Sequence, residues 1–240
     1  MSALLVAIEG IDGSGKGTQA SLLRESLTEQ GFSCGLIRFP RYEETTFGRT
    51  IARYLNGEFG DLHTAGPHFA ALLYAGDRFE SLPLIQAERA ARKVLVFDRY
   101  VPSNLAHQAA KLPPRGRGPF MAWAESIEYG VYGLPRPDLV IWLDMPVPMA
   151  RDLIARKSAR RYTSKDADLH EADSDYLTRT AEIYRELSAR DVTWHAVPCC
   201  LESQLRTAQS VQGEILERVR TALAARGKNS TLAQSAGEAR

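Results

Sequence analysis

The segment with the plainest chemistry is Gly10-Ile11-Asp12-Gly13-Ser14-Gly15-Lys16-Gly17-Thr18. It follows the apolar run Leu4–Ile8 and precedes Ala20, Leu23 and Leu27 at helical spacing. Glycines let a backbone curl so that successive N–H groups point inward, and a helix N-terminus adds partial positive charge. A lysine at this point supplies a mobile ammonium that can follow β- and γ-phosphates through a transfer. Strand, glycine loop, lysine and helix therefore read as a cradle for a nucleotide's phosphates. The bland alternative is an ordinary Gly-rich turn between a strand and a helix. Gly17 stands where a Ser or Thr usually offers magnesium a hydroxyl, so Thr18 or a water must substitute.

A second constellation is Asp98-Arg99-Tyr100, at the end of the strand-like run Val94–Phe97. A carboxylate at the carboxyl end of a strand beside a phosphate loop can hold Mg²⁺, usually through water. Arg99 beside it can bridge donor and acceptor phosphates. Alone, the pair would read as a local ion pair capping a strand.

The third is a basic run: Arg151, Arg156, Lys157, Arg160, Arg161 and Lys165, against only Asp152. Phosphoryl transfer spreads charge over oxygens, and mobile cations in a dry site suit it, so a lid at about 156–170 is expected. A merely solvated face is the other reading. Five acids follow, Asp166 to Asp175, and suit the positive end of the next helix.

The elements that must position these groups alternate along the chain. Apolar runs at Leu4–Ile8, Cys34–Phe39, Val94–Phe97, Leu139–Leu143 and Val192–Val197 read as strands. Helical patterns at Phe47–Leu55, His68–Arg92, Ser103–Lys111, Phe120–Tyr129 and Val147–Arg156 separate them, with two more before and after the last strand. Continuous apolar strands between helices indicate a parallel sheet covered on both faces, a three-layer α/β fold with right-handed crossovers. Leu112–Pro119 reads as a loop from its Pro and Gly content. The chain reads as one domain over residues 1–225, followed by a frayed tail, 226–240.

With 240 residues, a chain of this length needs no metal or disulfide to hold its core. Thirty basic against 29 acidic residues leave a net charge of +1, so a generally basic nucleic-acid coat is excluded and electrostatic function must be local. Cys34, Cys199 and Cys200 show no CxxC spacing and suit a reducing compartment. No window approaches a membrane helix, and the first residues lack a basic signal region, so a soluble cytoplasmic protein is expected.

The motifs resemble those of the thymidylate kinase family. Glu9-Gly10-Ile11-Asp12, Arg38-Phe39-Pro40, Ala75-Gly76-Asp77-Arg78, Asp98 to Ser103, Ala106-His107-Gln108 and Gly133 to Leu139 fall in that family's order over about residues 4–220. The Gly-Lys-Gly-Thr-Gln loop is also similar to the adenylate kinase variant. The resemblance implies a P-loop kinase fold with five parallel strands ordered 2-3-1-4-5, a homodimer, ATP with Mg²⁺ as phosphoryl donor and dTMP as acceptor. It also implies roles. Residues Gly10 to Thr18 would hold ATP, with Lys16 catalytic and Asp98 and Thr18 meeting the metal through water. Asp12 would lie near the sugar 3′-hydroxyl. Phe39 and Tyr74 would wall the base pocket, Arg78 and Gln108 would read the base, and Arg99, with Arg41, would hold the acceptor phosphate. His107 would be a pocket-wall ring. With Gly13 in the loop, the catalytic arginine must come from the lid, from Arg156, Arg160 or Arg161, with Tyr162 near the substrate. Two other classes stay open: a deoxynucleoside kinase using Glu9 as base, and a nucleotide-binding regulatory homologue, suggested by Gly17 and His107.

Overall fold

The computed structural model describes residues 2–60, 66–155 and 174–237, with side chains to Gly227. Five parallel strands form one sheet in the order β2-β3-β1-β4-β5, as expected: β1 Leu4–Glu9, β2 Cys34–Arg38, β3 Val94–Asp98, β4 Leu139–Asp144 and β5 Trp194–Pro198. Every residue of β1 is buried, which is why its sequence is apolar without alternation. The sheet is wrapped by α1 Lys16–Glu29, α2 Thr46–Leu55, α3 Pro67–Glu80, α4 Leu82–Ala91, α5 Val101–Ala109, α6 Pro114–Glu125, α7 Val147–Ala155, α8 Ser174–Arg190 and α9 Ala208–Gly237. A short antiparallel pair, β6 Cys200–Leu201 and β7 Gln204–Leu205, precedes α9. The tail expected beyond Arg226 falls mostly among residues whose side chains are outside the described set.

Strand order reverses around β1, whose neighbours are β3 on one side and β4 on the other. At such a switch point the loops leaving adjacent strands diverge and open a crevice at the carboxyl edge. The phosphate loop after β1 and the Asp98–Arg99 corner after β3 both lie there.

Three local readings change. The helical stretch His68–Arg92 is two helices, α3 and α4, broken at Ser81. Pro83 in the first turn of α4 has no N–H to continue the ladder of α3. Leu112–Pro119 is not all loop, because α6 starts at Pro114. Pro114 favours a helix start, and Pro119 further along removes only one helical donor. Last, the turn after α6 continues as a π-helical segment, Ser126–Val131, a form with no signature in apolar periodicity.

Candidate functional site

The phosphate loop is built as its glycines require. Gly10, Gly13 and Gly15 all have positive φ, at 146°, 81° and 87°. A Cβ on Gly13 would lie 2.3 Å from the Ala150 carbonyl oxygen of α7, so no side chain fits there. Lys16 opens α1 and its Nζ donates to the Ile11 carbonyl at 2.7 Å, with Asp12 Oδ1 at 3.8 Å. Burial pushes its pKa down to about 8. Held among the described residues by a loop carbonyl and one carboxylate, this ammonium is available to a polyanion.

Arg99 sits in the left-handed region at φ 66°, unusual for a residue with a side chain, and this turns the chain sharply out of β3. The turn aims the next N–H, that of Tyr100, at Glu9 Oε1, 2.7 Å away. The Arg99 guanidinium donates to Asp12 Oδ1 through Nη2, and its Nη1 lies 3.2 Å from His107 Nε2. Burial opposes its charge, but the surrounding acidic groups, Asp12 foremost, hold its pKa well above the usual arginine value.

A cleft of about 420 Å³ joins these parts, lined by Asp12, Lys16, Gly17, Arg38, Phe39, Tyr42, Tyr74, Arg78, Asp98, Arg99, Asn104, His107 and Gln108, among others. Two of its lining residues, Arg78 and Asn104, meet Glu128 in a buried polar trio. Arg78 of α3 grips Glu128 of the π-helical segment through Nε at 2.5 Å and Nη2 at 2.7 Å, with both side chains buried. Asn104 Nδ2 donates to Glu128 Oε1 at 2.7 Å and to the Ala71 carbonyl at 3.0 Å. Both partners are acceptors, so the amide orientation is fixed and Oδ1 is left as an acceptor. Asn104 Oδ1 and Gln108 Oε1 are buried and find no hydrogen-bond partner among the described residues. Two orphaned acceptors beside a cleft call for a ligand that brings N–H groups.

A thymidylate kinase family model matches residues 8–206. The chain is 35% identical over 187 residues to thymidylate kinase from Mycobacterium tuberculosis, covering 78% of this chain and 86% of that one. The human thymidylate kinase is 33% identical over 141 residues, covering 59% and 60% of the two chains.

The chain belongs to the thymidylate kinase family.

The fold agrees: a thymidylate kinase structure from Candida albicans superposes with a TM-score of 0.72 at 24% identity, covering 92% of each chain. Against the family expectations, the structure brings Asp12, Lys16, Phe39, Tyr74, Arg78, Asp98, Arg99 and Gln108 to one cleft. Arg41 is not among the cleft residues: its Nη1 donates to Ser81 Oγ and its backbone N–H to Asp77. Tyr42 lines the cleft in its stead, because the turn after Phe39-Pro40 carries residue 41 toward α3. Thr18 is exposed on the first turn of α1 and does not line the cleft either. Arg156, Arg160, Arg161 and Tyr162, and with them the lid, lie outside the described residues.

Two side chains that support this cleft, Glu128 and Asn104, carry little or no motif signal. Glu128 sits in an unremarkable Ile-Glu-Tyr stretch, and only the fold carries it under Arg78. Asn104 carries a weak signal, a polar residue four before Gln108 on the same helical face. Glu9 is fully buried and accepts from Tyr100 N, Ser103 Oγ and Tyr184 Oη, so it ties β1 to α5 and α8. Burial pushes its pKa up, and those donors together with Arg99 restrain the rise. The three cysteines are free thiols; burial raises Cys34 to about 11 and Cys199 to about 12, which keeps both protonated and unreactive.

Proposed function

We infer that the chain transfers the γ-phosphoryl group of ATP to dTMP, giving dTDP and ADP. The observation that carries this reading is a cleft lined by the phosphate loop, by Arg99 as a second cation, and by Asn104 and Gln108 with their buried acceptor oxygens. ATP's phosphates would lie in residues 10–18 with Lys16 on the β- and γ-phosphates, and the dTMP phosphate on Arg99. Asp12 would meet the sugar hydroxyl, and Phe39 and Tyr74 would flank the ring. The N3–H of a thymine would meet one of the two acceptors, Asn104 Oδ1 or Gln108 Oε1. Arg78, held by Glu128, would face a ring carbonyl.

The chemistry needs little from the protein beyond placement and charge. The attacking oxygen of dTMP is already anionic, so no general base is required, and cations offset the negative charge brought together. This separates the reading from a deoxynucleoside kinase, whose neutral 5′-hydroxyl needs a base. Glu9 is a poor base, because it is fully buried and already accepts three hydrogen bonds. The closed loop position at Gly13 supports a lid arginine, from Arg156, Arg160 or Arg161, as the cation on the transferring group.

Among the described residues no group of three or more His, Cys, Asp or Glu could cage a metal. That fits Mg²⁺ arriving with ATP, since it takes one or two carboxylates and otherwise phosphates and waters. Asp98 suits this role: a Cβ on Gly17 would lie 3.1 Å from its Oδ2, so the glycine leaves space in front of the carboxylate. Mg²⁺ would neutralise charge on the β- and γ-phosphates. A homodimer is supported by an apolar face on α3, where Phe69, Leu72 and Phe79 are 47%, 39% and 48% exposed. No described helix is long and apolar enough to cross a membrane, and free thiols suit a cytoplasmic place.

The test is ADP release, coupled to an indicator, across dTMP, dUMP, dCMP, dGMP and thymidine. dTMP should be the preferred acceptor. Faster transfer to thymidine would point to the deoxynucleoside kinase. ATP binding without dTMP-dependent ADP release would point to a regulatory homologue.

A further inference from the structure

We propose that His107 is a positioning residue that sets the orientation of Arg99, and that Tyr176 on α8 acts through it. The inference rests on the reading that Arg99 holds the acceptor phosphate. A guanidinium only donates, so His107 Nε2, 3.2 Å from Arg99 Nη1, is the acceptor of that contact. The ring proton therefore sits on Nδ1 and donates to Tyr176 Oη at 3.0 Å. The Tyr176 hydroxyl in turn donates to the backbone carbonyl of His107 at 2.9 Å. This two-way grip fixes both the tautomer and the ring plane.

Arg99 is thereby held from two sides, by Asp12 on Nη2 and by His107 on Nη1, while Ser103 Oγ stands further off at 3.4 Å. His107 and Tyr176 are 7% and 1% exposed, so water is a poor substitute for either partner. Burial, together with the positive charge of Arg99, pushes the His107 pKa down to about 3, against the opposing pull of Asp12. The ring therefore stays a neutral acceptor at working pH. Its value lies in preorganisation: a cation already aimed at the phosphate need not reorient when substrate arrives. The same contacts make the first turn of α8 part of the acceptor clamp, although α8 contributes no residue to the cleft lining.

The experiment is steady-state kinetics on the full chain with dTMP and ATP varied separately. His107→Leu, which fills space without accepting, should raise KM for dTMP about tenfold or more and leave KM for ATP within about twofold, as loss of a hydrogen bond to a charged group predicts. His107→Gln, whose amide oxygen reaches near the Nε2 position, should stay within about threefold of the parent for both substrates. Tyr176→Phe should raise KM for dTMP in the parent and add nothing in the His107→Leu background. Equal losses in Leu and Gln variants, or parallel losses for both substrates, would overturn the positioning role. If His107→Leu does not fold, Tyr176→Phe carries the test, and an unchanged KM for dTMP in that variant overturns the proposal. Arg99→Ala is the control. No effect on dTMP there removes the clamp reading itself, whereas a large effect there with none in His107→Leu removes only this inference.

Discussion

Glu128→Gln is the most informative single change, because it alters one charge and almost no shape. Glu128 Oε1 accepts from Arg78 Nη2 and Asn104 Nδ2, and Oε2 accepts from Arg78 Nε. A glutamine must replace one oxygen by NH₂. In the better orientation that NH₂ opposes Arg78 Nε, and in the worse it opposes two donors at once. Either way a guanidinium that is 2% exposed loses its counter-charge. Removing one partner of a buried ion pair costs about 3–5 kcal/mol. For a chain of this size each kcal/mol moves Tm by about 2–4 °C, so a fall on the order of 6–20 °C is expected. Thermal unfolding measures it, and kinetics should show KM for dTMP rising with KM for ATP unchanged. A companion variant, Arg78→Met with Glu128→Leu, should recover most of the stability while dTMP recognition stays impaired. A Glu128→Gln protein with Tm within about 2 °C of the parent and normal KM for dTMP would refute the reasoning.

Lys16→Ala should leave a folded protein whose turnover falls roughly 10²-fold or more, as loss of a preorganised cation predicts; activity within a few-fold would remove the loop as donor site. ATP affinity of the free protein should weaken as pH rises through about 8, where the Lys16 ammonium loses its proton; equal affinity at pH 7 and pH 9 by calorimetry would contradict this. His107 titrates near 3 in the folded chain and near 6.5 when unfolded, so between those values the unfolded state binds the extra proton and stability falls as pH drops. His107→Gln should flatten that acid slope in Tm against pH. Tyr74→Ala should weaken dTMP binding by roughly 1–3 kcal/mol, the usual worth of base–aromatic stacking, measured by calorimetry. Because one methyl is worth about 1–3 kcal/mol in an apolar pocket, dUMP should be used roughly 10–200-fold less well.

The sheet is legible because its three central strands are buried on both faces, so the runs in Leu4–Glu9, Val94–Asp98 and Leu139–Asp144 are apolar without alternation, whereas the edge strands β2 and β5 are part-exposed. The phosphate loop was legible because its glycines answer to backbone geometry that no other residue meets so easily. Arg41 depends on path rather than on residue type, since spacing after Pro40 differs from the family by about a residue, and here Tyr42 lines the cleft while Arg41 meets Asp77 and Ser81. Glu128 was unreadable for a deeper reason. Its partner lies 50 residues away on another helix, and the π-helical turn that presents it breaks the 3.6-residue period from which helix faces are inferred. His107 lines the cleft, but its contacts with Arg99 and Tyr176 join α5 to the end of β3 and to α8, and no spacing rule encodes that.

The tight seat of Gly13 against Ala150 also constrains how this chain can change over time. A loop arginine at position 13 would put a side chain 2.3 Å from a backbone oxygen that cannot turn aside, on top of a positive φ of 81°. The start of α7 would have to retreat first, and that retreat brings no gain until the arginine is in place. Acquiring a cation at position 13 is therefore a two-step path with an unfavourable first step. Grafting a loop arginine into this chain should fail unless the turn around Ala150 is rebuilt with it.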